Sequence, residues 1–318
     1  MLFLSDNDVK RFLTMHEAIE AVEKAFKELS GATAVILPRT TLMLENGSIS
    51  QMSACLKKMN IATTKIFGIF PDNAKYDLPT TVATLLANDL RTGKVIAVMD
   101  ATYLTAIRTG AVSAVATRHL ARKDAKIVGI IGCGAQGRAQ VWAMKEVREI
   151  ERIKAYDEVA NRKREFAGEM SKKLGIDIVS VDSVKEAVKN CDIIITATTS
   201  SEPVLKGEWL AEGAHINAIG SYYPHARELD TKTIVKAKVV VDLKKAALEE
   251  AGDIIMPIKE GAITEDHIYA ELGEIVTGKK AGRVDDREIT VFKTVGLAIQ
   301  DAAVTKLVID KVLSYIIS

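Results

Sequence analysis

Lys126-Ile127-Val128-Gly129-Ile130-Ile131-Gly132-Cys133-Gly134-Ala135-Gln136-Gly137 is the stretch whose reading decides the fold. Its first half is a short apolar run rich in β-branched residues, suited to a buried parallel strand. Its second half is a G-x-G-x-x-G. A helical pattern follows from near Ala139 to about Val147, and a second strand, Arg152 to Tyr156, ends at Asp157. Gly132 permits a tight turn, Gly134 lets backbone approach a pyrophosphate, and Gly137 lets the helix pack close to the strand. The helix N-terminus offers unpaired N–H groups and a positive dipole end to phosphates. Asp157 lies twenty residues past Gly137, where a carboxylate can accept hydrogen bonds from a ribose 2′-OH. A lone G-x-G-x-x-G also fits a glycine turn in some other α/β protein, but the strand, helix and acid together point to a dinucleotide. Asp157 would repel a 2′-phosphate, which favours NAD, while Arg162, Lys163 and Arg164 close behind keep NADP open.

Downstream the rhythm stays doubly wound. Strands are expected at Asp177–Val181, Asp192–Thr196, His215–Ile219 and Lys238–Asp242, with helical patterns between them. Ligands in such sheets bind beyond the carboxyl ends of the strands, which places Thr196, Thr198, Gly220, Ser221 and Tyr222 near a bound dinucleotide. His215 begins a strand and reads as a structural residue rather than a base.

Upstream the pattern is α+β. Thr14-Met15-His16-Glu17 has the form of a capping box ahead of a helix that Gly31 stops. Val35 to Met52 reads as strand, with Asn46-Gly47 as a two-residue hairpin turn and Arg39 on the first strand after Pro38. Ile61 to Phe70 is another strand, interrupted by Lys65. A lysine there is either an edge-strand charge or an ammonium whose pKa burial has lowered. Thr81–Leu86 and Lys94–Met99 flank Arg91-Thr92-Gly93 as a further hairpin. Asp100 to Leu120 reads as a helix of small residues with Arg108 embedded in it, either in a structural ion pair or facing a ligand carboxylate that the guanidinium fork matches. Ile289 to Ser318 closes the chain with a helix expected to return to the N-terminal domain.

The 318 residues suit two domains, and 48% hydrophobic content supplies a sizeable core. A net charge of +1 gives no electrostatic case for nucleic acid or an anionic membrane. No apolar run approaches membrane-spanning length, and the N-terminus lacks the basic and small-residue features of a signal peptide. Cys55, Cys133 and Cys191 are far apart, without zinc spacing, and read as reduced cysteines of a cytoplasmic protein with no metal site.

Several strings taken together resemble the ornithine cyclodeaminase/μ-crystallin family, which also holds an archaeal-type alanine dehydrogenase and cyclic-imine reductases. They are Pro38-Arg39, Lys65, Phe70-Pro71-Asp72-Asn73, Leu78-Pro79-Thr80, Val98-Met99-Asp100-Ala101, Leu104 to Ala111, Ile131 to Gln136, His215 to Gly220, Arg227-Glu228-Leu229-Asp230 and Thr294 to Ala298. The resemblance implies an α/β fold: a Rossmann dinucleotide-binding domain, residues 118–291, inserted into an α+β substrate and dimerisation domain, residues 1–117 completed by 292–318. It puts substrate binding and catalysis on Arg39, Lys65 and Arg108, with Val295 also against substrate. Cofactor contacts fall on Thr80, Arg108, Thr109, Gly132, Gly134, Ala135, Gln136, Gly137, Asp157, Thr196, Thr198, Ile219, Gly220, Ser221 and Thr294. One departure matters. Cyclodeaminases and the archaeal alanine dehydrogenase carry an aspartate where this chain has Tyr222, and a tyrosine stays protonated at neutral pH. Ser50 also stands where the alanine dehydrogenase has an arginine.

The expected activity is therefore NAD(P)-dependent reduction of the C=N of a small cyclic imino acid such as Δ1-pyrroline-2-carboxylate, by a homodimer. The alternatives are ornithine cyclodeamination, alanine dehydrogenation, and ligand binding without catalysis in the manner of μ-crystallin.

Overall fold

Alternating apolar residues in the first third of the chain, and continuous apolar runs in the middle, give two different sheets in the computed structural model. It describes residues 1–317, without the side chain of Ala74; Ser318, the last residue of the expected closing segment, lies outside the described residues. The chain divides into two units: Met1–Val112 with the residues from Leu297 on, and Ser113–Gly296.

The first unit holds a seven-stranded sheet of β1 (Leu2–Leu4), β2 (Ala34–Ile36), β3 (Thr40–Leu44), β4 (Gly47–Leu56), β5 (Ile61–Ile69), β6 (Thr81–Asn88) and β7 (Val95–Asp100). β4, β5, β6 and β7 pair antiparallel in chain order, β2 and β3 both pair β4, and β1 joins β7 in parallel. Pairing sorts the side chains into two faces. Met52, Lys65, Phe67, Leu85 and Met99 lie on the buried face, and the C-terminal helix Ala298–Ile317 packs on β4, β5 and the helix Met15–Ser30. Phe3, Val35, Leu42, Ile49, Ile66 and Val82 lie on the other face and are exposed.

Three local expectations are corrected. The β3–β4 hairpin forms, but Leu44 pairs with Gly47, so its two turn residues are Glu45-Asn46. A Cβ on Gly47 would lie 2.5 Å from the Ile69 carbonyl oxygen and 2.7 Å from the Phe70 ring, so close packing explains this glycine. Arg39 is not on a strand: β2 ends at Ile36, because Pro38 has no N–H for the ladder, and Arg39 stands in the gap before β3. Lys65 is not an edge charge, since β5 lies between β4 and β6. A short helix, Asp6–Phe12, capped by a Ser5–Asp8 box, has no counterpart in the expectations.

The second unit is a Rossmann sheet of eight parallel strands: β8 (Ile127–Ile131), β9 (Arg152–Tyr156), β10 (Asp177–Ser180), β11 (Ile193–Thr196), β12 (His215–Ala218), β13 (Lys238–Val241), β14 (Ile268–Glu271) and β15 (Thr290–Lys293). The order is β10-β9-β8-β11-β12-β15-β13-β14. Its topological switch lies between β8 and β11, where such sheets bind nucleotides. β14 and β15 were not expected. β15 enters between β12 and β13 and pairs with both. His215 is fully buried, and its Nδ1 lies 2.9 Å from Thr290 Oγ1. Burial, then the guanidinium groups of Arg283 and Arg148, push its pKa down to about 3, so the ring is neutral and structural.

Among the described residues, no helix is long and apolar enough to cross a membrane, and no cluster of three His, Cys, Asp or Glu side chains is arranged to hold a metal ion.

Candidate active site

In the second unit, the glycine turn joins β8 to the helix Ala135–Val147, which starts four residues earlier than expected. Gly132 has φ +102°, where a side chain would be strained. A Cβ on Gly137 would fall against the Gly132 carbonyl oxygen, whereas one on Gly134 would meet no atom within 4 Å. Gly134 is also the N-cap and brings no side-chain cap to the helix end. An open, uncapped helix start of this kind fits a pyrophosphate. The Gln136 Oε1 beside it is buried without a hydrogen-bond partner. Asp157 sits at the end of β9 and closes the turn: its Oδ2 accepts from Cys133 N at 2.9 Å and its Oδ1 from Val159 N at 2.9 Å, with Arg162 Nη1 at 3.3 Å. Burial, then the Asp157 charge, pushes the Cys133 thiol up to about 12, so it is not a nucleophile.

The carboxyl ends of β11 and β12 are organised by Glu228, which is fully buried. It accepts from Thr196 Oγ1 at 2.7 Å, Thr198 N at 2.7 Å, Thr198 Oγ1 at 2.8 Å and Gly220 N at 2.7 Å. Burial pushes its pKa up, opposed by the Lys293 charge. Four donors to two oxygens are nevertheless the pattern of a carboxylate, so the ionised form is the one this site holds. Asp253 ties the arrangement below: its Oδ1 accepts from Glu228 N, and its Oδ2 lies 2.8 Å from Lys293 Nζ, which also donates to the Ser221 carbonyl. Ile219 N donates to the Thr196 carbonyl at 2.9 Å. Asp242 Oδ2 accepts from Thr294 Oγ1 at 2.6 Å and from the N–H groups of Val295 and Gly296. The Tyr222 ring lies tilted against Tyr223, with centroids 4.5 Å apart and planes at 33°.

In the first unit, Lys65 and Arg108 converge on one carboxylate. Lys65 Nζ donates to Asp301 Oδ1 at 2.8 Å and to Thr105 Oγ1 at 3.3 Å. Arg108 Nε donates to the same Asp301 oxygen at 3.2 Å, and its Nη1 to Gln300 Oε1 at 2.6 Å. Lys65, Arg108 and Asp301 are 1%, 7% and 1% exposed, so all three charges are out of water. Arg39 joins them over Phe67: its Cζ is 5.8 Å from the ring centroid and Lys65 Nζ is 5.2 Å from it. Burial is the main force lowering the Lys65 pKa; Asp301 raises it, Arg108 and Arg39 lower it, and the result is about 7. Such a group can give or take a proton at neutral pH. Arg108 thus has the ion pair that its embedding in a helix required. Thr109 donates to the Thr105 carbonyl, and Thr80, exposed, accepts from Phe70 N through its own carbonyl.

Sequence reasoning missed Asp301, Gln300, Asp242, Asp253 and Lys293, and met Glu228 only inside a matching string. Asp253 and Asp301 inside apolar helices and Lys293 inside an apolar strand were the available signal, because a charge is buried only with a partner.

A model of the ornithine cyclodeaminase/mu-crystallin family matches residues 1–315. An alanine dehydrogenase of Archaeoglobus fulgidus is 40% identical over 313 residues, covering 98% of this chain and 95% of its own. The structure of Thermococcus litoralis Δ(1)-pyrroline-2-carboxylate reductase in complex with NADH and L-proline superposes with a TM-score of 0.97 at 50% identity, covering 99% of this chain and 98% of that one. An archaeal alanine dehydrogenase dimer with bound NAD gives a TM-score of 0.94 at 39% identity, covering 99% and 97%.

Proposed function

The chain belongs to the ornithine cyclodeaminase/mu-crystallin family, and from that premise we propose that it is an NAD-dependent reductase of a small cyclic imino acid of the Δ1-pyrroline-2-carboxylate type. The observation that carries this reading is a buried lysine with a near-neutral pKa grouped with two arginines. One solved relative, at 50% identity, is a reductase in complex with NADH and L-proline, the amine that reduction of Δ1-pyrroline-2-carboxylate gives.

When bound, NADH would be the source of the hydride for the imine carbon. The second unit would hold it by the start of the helix Ala135–Val147 and by Asp157, which would turn from its own loop to the adenosine ribose. Arg39 and Arg108 would hold the substrate carboxylate, a planar group that a guanidinium fork matches. Lys65 Nζ would give its proton to the ring nitrogen as the carbon receives hydride, and recover a proton from solvent. Positioning of this kind is a large part of such catalysis. Tyr222, in place of a carboxylate, offers no base for displacing ammonia, which disfavours ornithine cyclodeamination.

Alanine dehydrogenation is the second reading, favoured by the relative at 40% identity. A panel of five- and six-membered cyclic imines, pyruvate with ammonia, and ornithine, each with NADH or NAD⁺ as the reaction requires, separates them by cofactor absorbance. Rapid turnover of a cyclic imine is expected; faster turnover of pyruvate with ammonia would replace this reading with the second.

A homodimer fits the same family setting. Phe3, Val35, Leu42, Ile49, Ile66 and Val82 make one apolar exposed sheet face, which a second copy would cover. Three free cysteines, two of them buried, support a reducing, cytoplasmic location.

A further inference from the structure

We propose that Asp301, on the C-terminal helix, is a positioning residue that holds Lys65 as a proton donor and aligns Arg108 for the substrate carboxylate. This rests on the imine-reductase reading above.

The geometry is one carboxylate oxygen shared by two cations. Asp301 Oδ1 receives Lys65 Nζ at 2.8 Å and Arg108 Nε at 3.2 Å. The neighbouring Gln300 fixes Arg108 a second time, through Nη1. Consecutive residues of one helix turn thus orient the guanidinium, while Asp301 and Thr105 occupy two of the three ammonium protons of Lys65. The third remains for a substrate nitrogen.

Burying a carboxylate with its cations is most favourable when its remaining lone pairs are also satisfied. Here Asp301 Oδ2 and Gln300 Nε2 are buried without a hydrogen-bond partner. Those two atoms sit beside the cations the pair holds and are left for a ligand or water to satisfy. The charged groups facing Lys65 Nζ are Asp301, Arg108 and Arg39; its strand neighbours Met52 and Leu85 carry no charge. Asp301 is therefore the one anion among them, opposing burial and two guanidinium groups.

Asp301→Asn removes that anion and keeps the shape. The basic limb of the kcat/KM profile for imine reduction is expected to move at least one pH unit to the acid side. At about pH 8 this lowers kcat/KM about tenfold beyond any loss seen at acid pH. NADH affinity should hold. Asp301→Glu, which keeps the charge but displaces it, should restore the limb while kcat stays reduced. A basic limb at the wild-type pH in Asp301→Asn, with activity lost only in step with the urea midpoint, overturns the proposal. Should Asp301→Asn not fold, Asp301→Glu decides alone, and an unchanged kcat overturns it. If no imine is turned over, the substrate reading fails. Nitrogen-15 NMR of Lys65 Nζ, assigned with Lys65→Met, still tests Asp301 without substrate: the wild-type titration must move to lower pH in Asp301→Asn.

Discussion

Lys65 Nζ and Asp301 Oδ1 lie 2.8 Å apart across 236 residues of chain. The contact joins the central strand of the first sheet to the last helix, and both partners are buried. Lys65→Met keeps most of the side-chain volume and removes the ammonium. We expect kcat for imine reduction to fall about 10²–10⁴-fold, the usual scale for a general acid. NADH affinity, measured by fluorescence titration, should be unchanged.

In the proposed reaction the protonated form of Lys65 is the one that works in the reductive direction. Burial lowers its pKa to about 7 against the opposing pull of Asp301. kcat/KM for imine reduction should therefore be level at acid pH and decline above about pH 7. A profile that stays level to pH ~10, the range of an ordinary lysine, would assign the proton transfer to another group.

Gly134 and Gly137 should respond oppositely to the same methyl group. Gly137→Ala sets a Cβ against the Gly132 carbonyl and should lower stability by about 1–3 kcal/mol. Gly134→Ala meets no protein atom. It should leave the urea midpoint in place and weaken NADH binding at least tenfold, because it blocks the approach of the pyrophosphate.

Acid should destabilise the fold through His215. Its folded pKa is about 3 against an ordinary 6.5, because burial disfavours the charged ring. Between those limits the unfolded chain binds a proton that the folded chain refuses, so stability falls as pH falls, by about 1.4 kcal/mol per pH unit. Urea unfolding at several pH values should show a shallower acid loss for His215→Asn than for the wild type.

Ile66 is 45% exposed in the middle of the outer sheet face. Ile66→Lys should convert a dimer to monomers in light scattering while leaving the secondary structure intact. A wild-type protein already monomeric at micromolar concentration would remove the dimer from the proposed function.

The parts legible in the sequence were local ones. The glycine turn, its flanking strands and Asp157 fall within one short segment, and glycine chemistry there admits few alternatives. Lys65 and Arg108 stood out as charges in apolar surroundings, but nothing in their neighbourhoods named Asp301, because pairing across the chain leaves no periodic trace. The Asn46-Gly47 turn misled by one residue: Gly47 serves packing against Phe70, so the residue pair meant something other than a backbone conformation. β14 and β15 are four residues each, too short to show a period, and β15 hides a fully buried Lys293 whose partner Asp253 lies in a separate helix.

The place of β15 has a consequence for synthesis. A growing chain that has reached β14 still lacks the strand that separates β12 from β13, so both would present raw edges, and Lys293 would be missing from beneath Ser221. The nucleotide-binding sheet can close only once Thr290–Lys293 has emerged from the ribosome, long after the glycine turn, and in that interval β12 and β13 are open to mispairing.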